Sequence, residues 1–118
     1  SVEGILAALE SEAAAAGADD DWAKKTAATM RNKSPLSLQL ALAQVRRGKA
    51  WNFATCMSAE FRIVSRVIHG SDFYEGVRAV IVDKDNRPRW RPATLTEVSD
   101  AEVERHFAPL GAEELAVQ

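Results

Sequence analysis

The segment 51–69 repeats apolar side chains at the spacing of an α-helix, and it is the longest such segment in the chain. One stripe is formed by Trp51, Ala54, Met57, Phe61, Val64 and Ile68, and a second by Phe53, Cys56, Ile63 and Val67. A helix that is apolar over so much of its surface is typical of the centre of a bundle. The sequence therefore predicts an all-α fold, a bundle of about five to six helices arranged around this one.

Three helices are predicted before it, each from apolar residues spaced three and four apart. Their boundaries fall at Gly17, at the acidic run Asp19–Asp21, at Ser34-Pro35 and at Gly48, which are typical helix ends and starts. Their inner faces are formed by Val2, Ile5, Leu6 and Leu9, by Trp22, Ala23, Thr26, Ala27 and Met30, and by Leu38, Ala41, Leu42 and Val45.

The segment 72–82 follows Gly70 and has two interpretations. Its β-branched residues favour a strand that runs into a turn at 83–86. Asp72 and Glu75 instead fit a capping box at a helix start. Because a lone hairpin needs a further sheet to pair with and the rest of the chain predicts none, we expect a helix.

An extended strap is predicted over 87–92, because Pro88 and Pro92 interrupt any regular helix there. Trp90 is expected to anchor this strap to the helices. A short last helix should begin at a second capping box formed by Ser99 and Glu102. The tail 111–118 offers nothing to hold it and should fray.

Bulk properties limit the classes of protein. The chain has 118 residues, a net charge of −2 and one cysteine, Cys56. Its length fits one domain, over 1–110, with a core that needs no disulfide. A lone cysteine is typical of a reducing compartment. No apolar run approaches the roughly 20 residues of a membrane span, and the acidic N-terminus is unlike a signal peptide. We expect no membrane partner, and either a mature cytosolic protein or part of a larger one.

Residues of catalytic chemistry are sparse. The sharpest nucleophile hypothesis pairs Cys56 with His69, but a separation of 13 positions on one helix places them on different faces. His69 and His106 are too distant in sequence to predict a metal site with one cysteine. Glu60 lies on the edge of the second apolar stripe, so its carboxylate is either at the helix rim or paired with a cation. We expect an arginine partner, with Arg78 the first candidate. The prediction is no catalytic residue and no metal.

Two basic stretches suggest nucleic acid, namely 46–49 and the arginine-rich 87–91, which contains Trp90. Arginines around an aromatic ring can bind a phosphate backbone and stack on a base. The negative net charge and the lack of a nucleic-acid motif argue against this. We therefore expect no nucleic-acid partner.

The phrases KSPLSLQLALAQVRRGK and AEFRIVSRVIHGSDFYEGVRAVIVDKDNRPRW point to a family. Over 34–110 the chain resembles the C-terminal part of the 3-hydroxyisobutyryl-CoA hydrolases, a branch of the enoyl-CoA hydratase/isomerase (crotonase) superfamily. The phrase from Asp72 to Trp90 carries most of this resemblance, whereas 1–33 fit it loosely.

The resemblance implies a helical C-terminal domain that packs on an N-terminal catalytic domain and helps to complete an acyl-CoA site. The implied reaction is hydrolysis of a β-hydroxyacyl-CoA thioester in valine breakdown, or hydration of an enoyl-CoA, without a cofactor. It further implies a location in the cytoplasm, or in the mitochondrial matrix of a eukaryote, and a contact between Lys84 and the CoA nucleotide. Because such a helical region on its own exposes the apolar face that meets the catalytic domain, we expect a homo-oligomer. A helical interaction or oligomerisation module with no CoA role is the alternative.

Overall fold

The computed structural model describes residues 1–15 and 21–116. Within these ranges the chain forms helices α1 (Val2–Ala15), α2 (Asp21–Arg31), α3 (Pro35–Gly48), α4 (Phe53–Val67), α5 (Ser71–Val77) and α6 (Asp100–Phe107). A π-helical turn, Arg78–Val82, continues α5, and short 3₁₀ turns occupy Leu95–Glu97 and Gly111–Glu113. The described ranges contain no strand, so the all-α prediction is confirmed, including a helix at the start of 72–82.

Local polar residues start several of these helices. The Ser34 hydroxyl accepts the Ser37 amide at 3.2 Å, and Pro35 follows at the first helical position. Asn52 accepts the Thr55 amide at 2.9 Å and starts α4. These side chains satisfy amides that have no partner inside a helix. The predicted start at Ser34-Pro35 is confirmed, whereas Gly17 and the first two residues of the Asp19–Asp21 run lie outside the described residues.

The capping box predicted at the start of α5 is wrong. Gly70 occupies the N-cap position, and no side chain caps the helix there. Asp72 accepts the Arg91 amide at 2.8 Å, and Glu75 accepts the Arg89 amide at 2.8 Å. The two carboxylates therefore turn away from the helix amides, since the strap offers them unpaired donors.

The second predicted capping box is half correct. Ser99 accepts the Glu102 amide at 3.1 Å and starts α6. The Glu102 carboxylate does not return to this N-cap, because it pairs with Arg105 one turn later, at 2.7 Å. A reciprocal contact lies upstream, where the Glu97 carboxylate accepts the Thr94 amide at 3.0 Å.

Two small hydrophobic clusters meet at α3. The first joins α3, α4 and α6, and its buried members are Leu40, Ala59, Val103 and Phe107. The second joins α1, α2 and α3, and its buried members are Val2, Leu6 and Ala27. Neither cluster includes α5. That helix and its π-helical turn are instead tied down by the strap, which positions them at the surface.

The amount of exposed surface is large for a chain of this size. The accessible area is 8060 Å², whereas the scaling law for compact monomers gives about 6300 Å² at this mass. The radius of gyration is 16.5 Å, compared with about 13.5 Å for a compact domain of this length. The chain thus leaves roughly 1700 Å² more surface open than a self-contained domain does.

The prediction that α4 lies at the centre is wrong, and so is the inward placement of Trp22. Along α4 only Ala59 is buried, whereas Phe53 is 75% exposed. Trp22 is 67% exposed on α2. Helical spacing predicted which residues share a face, but it does not specify whether the same chain supplies a surface to cover that face.

Candidate functional site

A single guanidinium organises the end of α5. Arg78 donates to both oxygens of Glu75, at 2.9 and 2.7 Å, in a two-pronged contact. The opposite side of the guanidinium donates to Asp83 at 2.7 Å and to Asp85 at 2.9 Å. It also reaches the carbonyl oxygen of Arg87 at 3.2 Å. Arg78 therefore joins the helix to the turn that follows it, in the fork geometry to which arginine is suited.

These contacts shift the acidities of three of the groups involved. Hydrogen bonds from Arg78, and next from the Arg89 amide, lower the pKa of Glu75 from 4.5 to about 2. The Arg87 amide, followed by Arg78, lowers the pKa of Asp85. Hydrogen bonds from its three carboxylate partners, led by Glu75, raise the pKa of Arg78. The shifts keep these three groups charged over a wider range of pH, which keeps the network intact.

Lys84 lies at the tip of this turn and is exposed to solvent. Its φ angle is +56°, and that of Asn86 is +54°, so both adopt the left-handed conformation that is uncommon outside glycine. The Asn86 amide donates to the carbonyl oxygen of Ala79 at 3.0 Å and closes the turn. Asp83 and Asp85 flank Lys84 in sequence, and both of their carboxylates are engaged by Arg78 rather than by Lys84.

The strap lies across α5 through alternate residues. The amides of Arg89 and Arg91 donate to side chains one helical turn apart, Glu75 and Asp72. Trp90 lies between them, and its indole N–H donates to the carbonyl oxygen of Asn32 at 3.2 Å. The expectation that Trp90 anchors the strap is confirmed.

Gly76 packs against the Trp90 ring. A Cβ added at Gly76 would lie 3.4 Å from that ring, at van der Waals contact distance, so the strap and α5 approach closely here. Asp72 also accepts the Ser34 hydroxyl at 2.6 Å and so ties α5 to the start of α3. The strap therefore fixes the position of α5 relative to the bundle.

Large apolar side chains are exposed along α4, at its end, in α5 and in the π-helical turn. We define the open apolar face as the exposed large apolar residues of α4, its end, α5 and the π-helical turn. Its members are Phe53, Met57, Val64, Ile68, Phe73, Tyr74, Val80, Ile81 and Val82. In the π-helical turn, three consecutive apolar side chains are 59 to 69% exposed. Exposed patches of this kind mark sites where proteins associate.

A groove of about 1090 Å³ lies between the starts of α3 and α5, the end of α4, the strap and α6. Both histidines, His69 and His106, line it. His106 is buried, and its Nδ1 lies 2.8 Å from the carbonyl oxygen of Glu102. Among the described residues, neither histidine forms a hydrogen bond with Cys56 or with a serine hydroxyl. The groove therefore brings the histidines to one surface without pairing them with a nucleophile.

The predicted ion pair between Glu60 and Arg78 is wrong. Glu60 is exposed and accepts from the side-chain amide of Gln44 at 3.1 Å. An exposed carboxylate is hydrated, so burial does not force it to find a cation. Arg78 binds carboxylates close to it in sequence, which sequence spacing along α4 could not reveal.

The prediction that nothing holds the tail is wrong at Glu114. Its carboxylate accepts from Arg62 at 2.7 Å and from the Leu110 amide at 2.8 Å. Part of the tail, 111–116, is therefore tied to α4, and the last two residues lie outside the described range.

The part of the chain that the structure describes contains neither a cluster of metal ligands nor a membrane-spanning helix. Residues 1–15 and 21–116 contain no group of three or more histidine, cysteine, aspartate or glutamate side chains that could hold a metal ion. In the same ranges, the helices are too short or too polar to cross a lipid bilayer.

The fold and the surface define an all-helical domain with a large open apolar face and a braced turn that presents a lysine. The chain belongs to the enoyl-CoA hydratase/isomerase family, since residues 1–107 match the model of that family. The mitochondrial 3-hydroxyisobutyryl-CoA hydrolase of Gallus gallus is 45% identical over 94 residues, which cover 80% of this chain and 24% of that protein. The predicted resemblance to the hydrolase branch is confirmed.

Two further relatives show how widely the domain occurs. Small ribosomal subunit protein mS47 of Arabidopsis thaliana is 42% identical over 112 residues, covering 92% of this chain and 27% of that protein. The crystal structure of an enoyl-CoA hydratase from Rhodobacter sphaeroides 2.4.1 superposes with a TM-score of 0.83 at 33% identity, covering 99% of this chain and 33% of that one. The chain therefore spans between a quarter and a third of the length of these relatives.

Proposed function

We propose that this chain is the helical C-terminal region of a 3-hydroxyisobutyryl-CoA hydrolase or enoyl-CoA hydratase, and that it packs on an N-terminal catalytic domain. The open apolar face carries this proposal. The chain as a whole also exposes roughly 1700 Å² more than a compact monomer does, an area comparable with that which one partner contributes to a permanent interface. Relatives three to four times longer supply the additional protein that such a face requires.

The reaction that we propose for the complete enzyme is hydrolysis of a β-hydroxyacyl-CoA thioester, with hydration of an enoyl-CoA as the sister reaction. The hydrolase from Gallus gallus supports the first by its name, and the hydratase from Rhodobacter sphaeroides supports the second. In this proposal the catalytic acids and the oxyanion-binding amides belong to the other domain. The helical region completes the acyl-CoA site, and the enzyme works in the cytoplasm or in the mitochondrial matrix of a eukaryote.

Lys84 is the residue that we propose meets the CoA nucleotide. It is exposed at the tip of a turn whose two acidic neighbours are already engaged by Arg78. Its ammonium is thus available to a phosphate, even though Asp83 and Asp85 flank it. A lysine in this situation acts as a compact point charge.

A second candidate function is a helical interaction module without a role in CoA chemistry. The Arabidopsis thaliana relative named as a ribosomal subunit protein favours it, because that name describes an assembly component. The open apolar face serves this function equally well. Catalysis by the complete gene product separates the two candidates.

The open apolar face should cause this chain to associate with itself, as a dimer or a larger oligomer. Replacing Val64 and Ile81 together by Asp puts charges on two exposed helical positions, so we expect the double variant to sediment as a monomer. Both residues are at least half exposed, hence the fold should tolerate the change. The matched control replaces exposed Ser11 and Thr96 by Asp, which adds the same charge outside the face.

Sedimentation velocity over a range of concentrations measures this association. The unmodified chain and the control should form concentration-dependent oligomers, in contrast to the double variant. An unmodified chain that remains monomeric throughout the range would show that the face is not an association surface for this chain.

A further inference from the structure

We propose that Arg78 is the positioning residue of the Lys84 turn, an inference that rests on the proposed contact between Lys84 and the CoA nucleotide. Arg78 touches no proposed ligand itself. It acts by engaging the two acids that flank Lys84, and by holding the backbone that presents this lysine. Both effects follow from the contacts of one guanidinium.

The electrostatic effect concerns the carboxylates that bind Arg78, two of which flank Lys84 in sequence. Glu75, Asp83 and Asp85 all bind the Arg78 guanidinium, at 2.7 to 2.9 Å. Without that cation, Asp83 and Asp85 would place two negative charges beside the single ammonium of Lys84, and the turn would repel an anion. With it, the positive charges of Arg78 and Lys84 balance those of Asp83 and Asp85, so Lys84 retains its attraction for a phosphate group.

The geometric effect concerns the backbone of the turn. The π-helical turn Arg78–Val82 is followed directly by a loop in which Lys84 and Asn86 have positive φ angles. Left-handed conformations of these residues persist only where neighbouring contacts hold them. Arg78 supplies such contacts on both sides, reaching back to Glu75 and forward to Asp85 and to the carbonyl oxygen of Arg87.

The test measures equilibrium binding of CoA and of pantetheine, which lacks the nucleotide, to the complete gene product by calorimetry. We expect Arg78→Met to weaken CoA binding about threefold, because the turn loses one positive charge and the contacts that hold its backbone. Pantetheine binding should not change, because a positioning role for Lys84 concerns only the nucleotide. Lys84→Met should weaken CoA binding by at least as much.

Two further variants separate positioning from a general structural effect. Arg62→Met also removes an arginine that is paired with a carboxylate, that of Glu114, and the Arg62 side chain is about as exposed as that of Arg78. This variant should leave CoA binding unchanged. Adding Asp83→Asn and Asp85→Asn to Arg78→Met removes the repulsion and should restore part of the affinity. Amide exchange of Asn86, whose amide is bonded to Ala79, should accelerate in Arg78→Met.

The outcomes distinguish this inference from the function on which it rests. Unchanged CoA affinity in Arg78→Met would overturn the inference, and so would equal losses for CoA and pantetheine. Unchanged affinity in Lys84→Met would overturn both the inference and the nucleotide contact. CoA binding with the expected variant pattern but without any hydrolysis or hydration would support the inference and contradict the proposed reaction.

Discussion

Phe107→Ala should lower the free energy of unfolding by about 3 to 4 kcal/mol, the largest effect that we expect from a single substitution in this chain. Phe107 is buried in the cluster that joins α3, α4 and α6. Its ring lies 6.3 Å from that of Trp51, and the Arg47 guanidinium lies 4.2 Å above it. Truncation leaves a cavity and removes both aromatic contacts, in a core that contains few other large side chains.

Phe53→Ala is the matched control, because it makes the same chemical change at a position that is 75% exposed. We expect it to alter the free energy of unfolding by no more than about 0.5 kcal/mol. Urea denaturation followed by far-ultraviolet circular dichroism measures both variants, at a protein concentration at which the chain sediments as a monomer. Similar losses from the two substitutions would contradict the placement of Phe107 in the core and of Phe53 on the open apolar face.

Acidification should release the strap from α5, the second large effect. The pKa of Glu75 is about 2 in the folded chain and 4.5 as its ordinary value, so the folded state binds this proton less tightly. The contribution of Glu75 to stability is therefore fully present above pH 4.5 and is lost as the pH falls towards 2. Protonated Glu75 loses its charge-assisted bonds to Arg78 and to the Arg89 amide.

The indole N–H signal of Trp90 in proton NMR reports this release, because that group donates to Asn32 in the bundle. It should move towards the position of a free indole as the pH falls. Glu75→Gln should show part of this shift already at neutral pH. Glu102→Gln, which removes a carboxylate paired with Arg105 outside the strap, is the control and should behave as the parent chain does. A Trp90 signal that is constant across this pH range would show that Glu75 does not hold the strap.

Local features were the part of the fold that could be predicted. Ser34-Pro35 starts a helix through contacts within four residues, and Trp90 anchors a segment that its neighbouring prolines keep extended. The choice of helix over strand at the start of 72–82 was also correct. That choice was based on the absence of any other predicted strand with which a hairpin could pair.

Interactions that depend on distant segments could not be predicted. Asp72 and Glu75 had a local alternative, the amides of their own helix, but they bind strap amides 19 and 14 residues further along. An ion pair between Glu60 and Arg78 was predicted because Glu60 lies beside an apolar stripe. Glu60 is instead exposed and accepts a hydrogen bond from the side chain of Gln44. The Arg78 network was missed, although an arginine with acids three residues before it and five and seven after it was visible in the sequence.

The prediction that the apolar stripes of α4 are buried was wrong for another reason. Phe53, Met57 and Val64 have the composition of a buried stripe, and the sequence predicted them as such. In this chain they face solvent, because neither small cluster extends over them. Under the proposed function, α4 has the pattern of a buried helix because its covering surface belongs to the rest of an acyl-CoA enzyme.

Release of free CoA from 3-hydroxyisobutyryl-CoA, followed with a thiol reagent, tests the central claim most directly. The complete gene product should catalyse this release, and the 118-residue chain alone should not. Crotonyl-CoA hydration, measured in parallel, separates hydrolase from hydratase activity. Release by the chain alone would contradict the claim that catalysis belongs to another domain. A complete gene product that neither releases CoA nor hydrates crotonyl-CoA would contradict the proposed function and favour the interaction module.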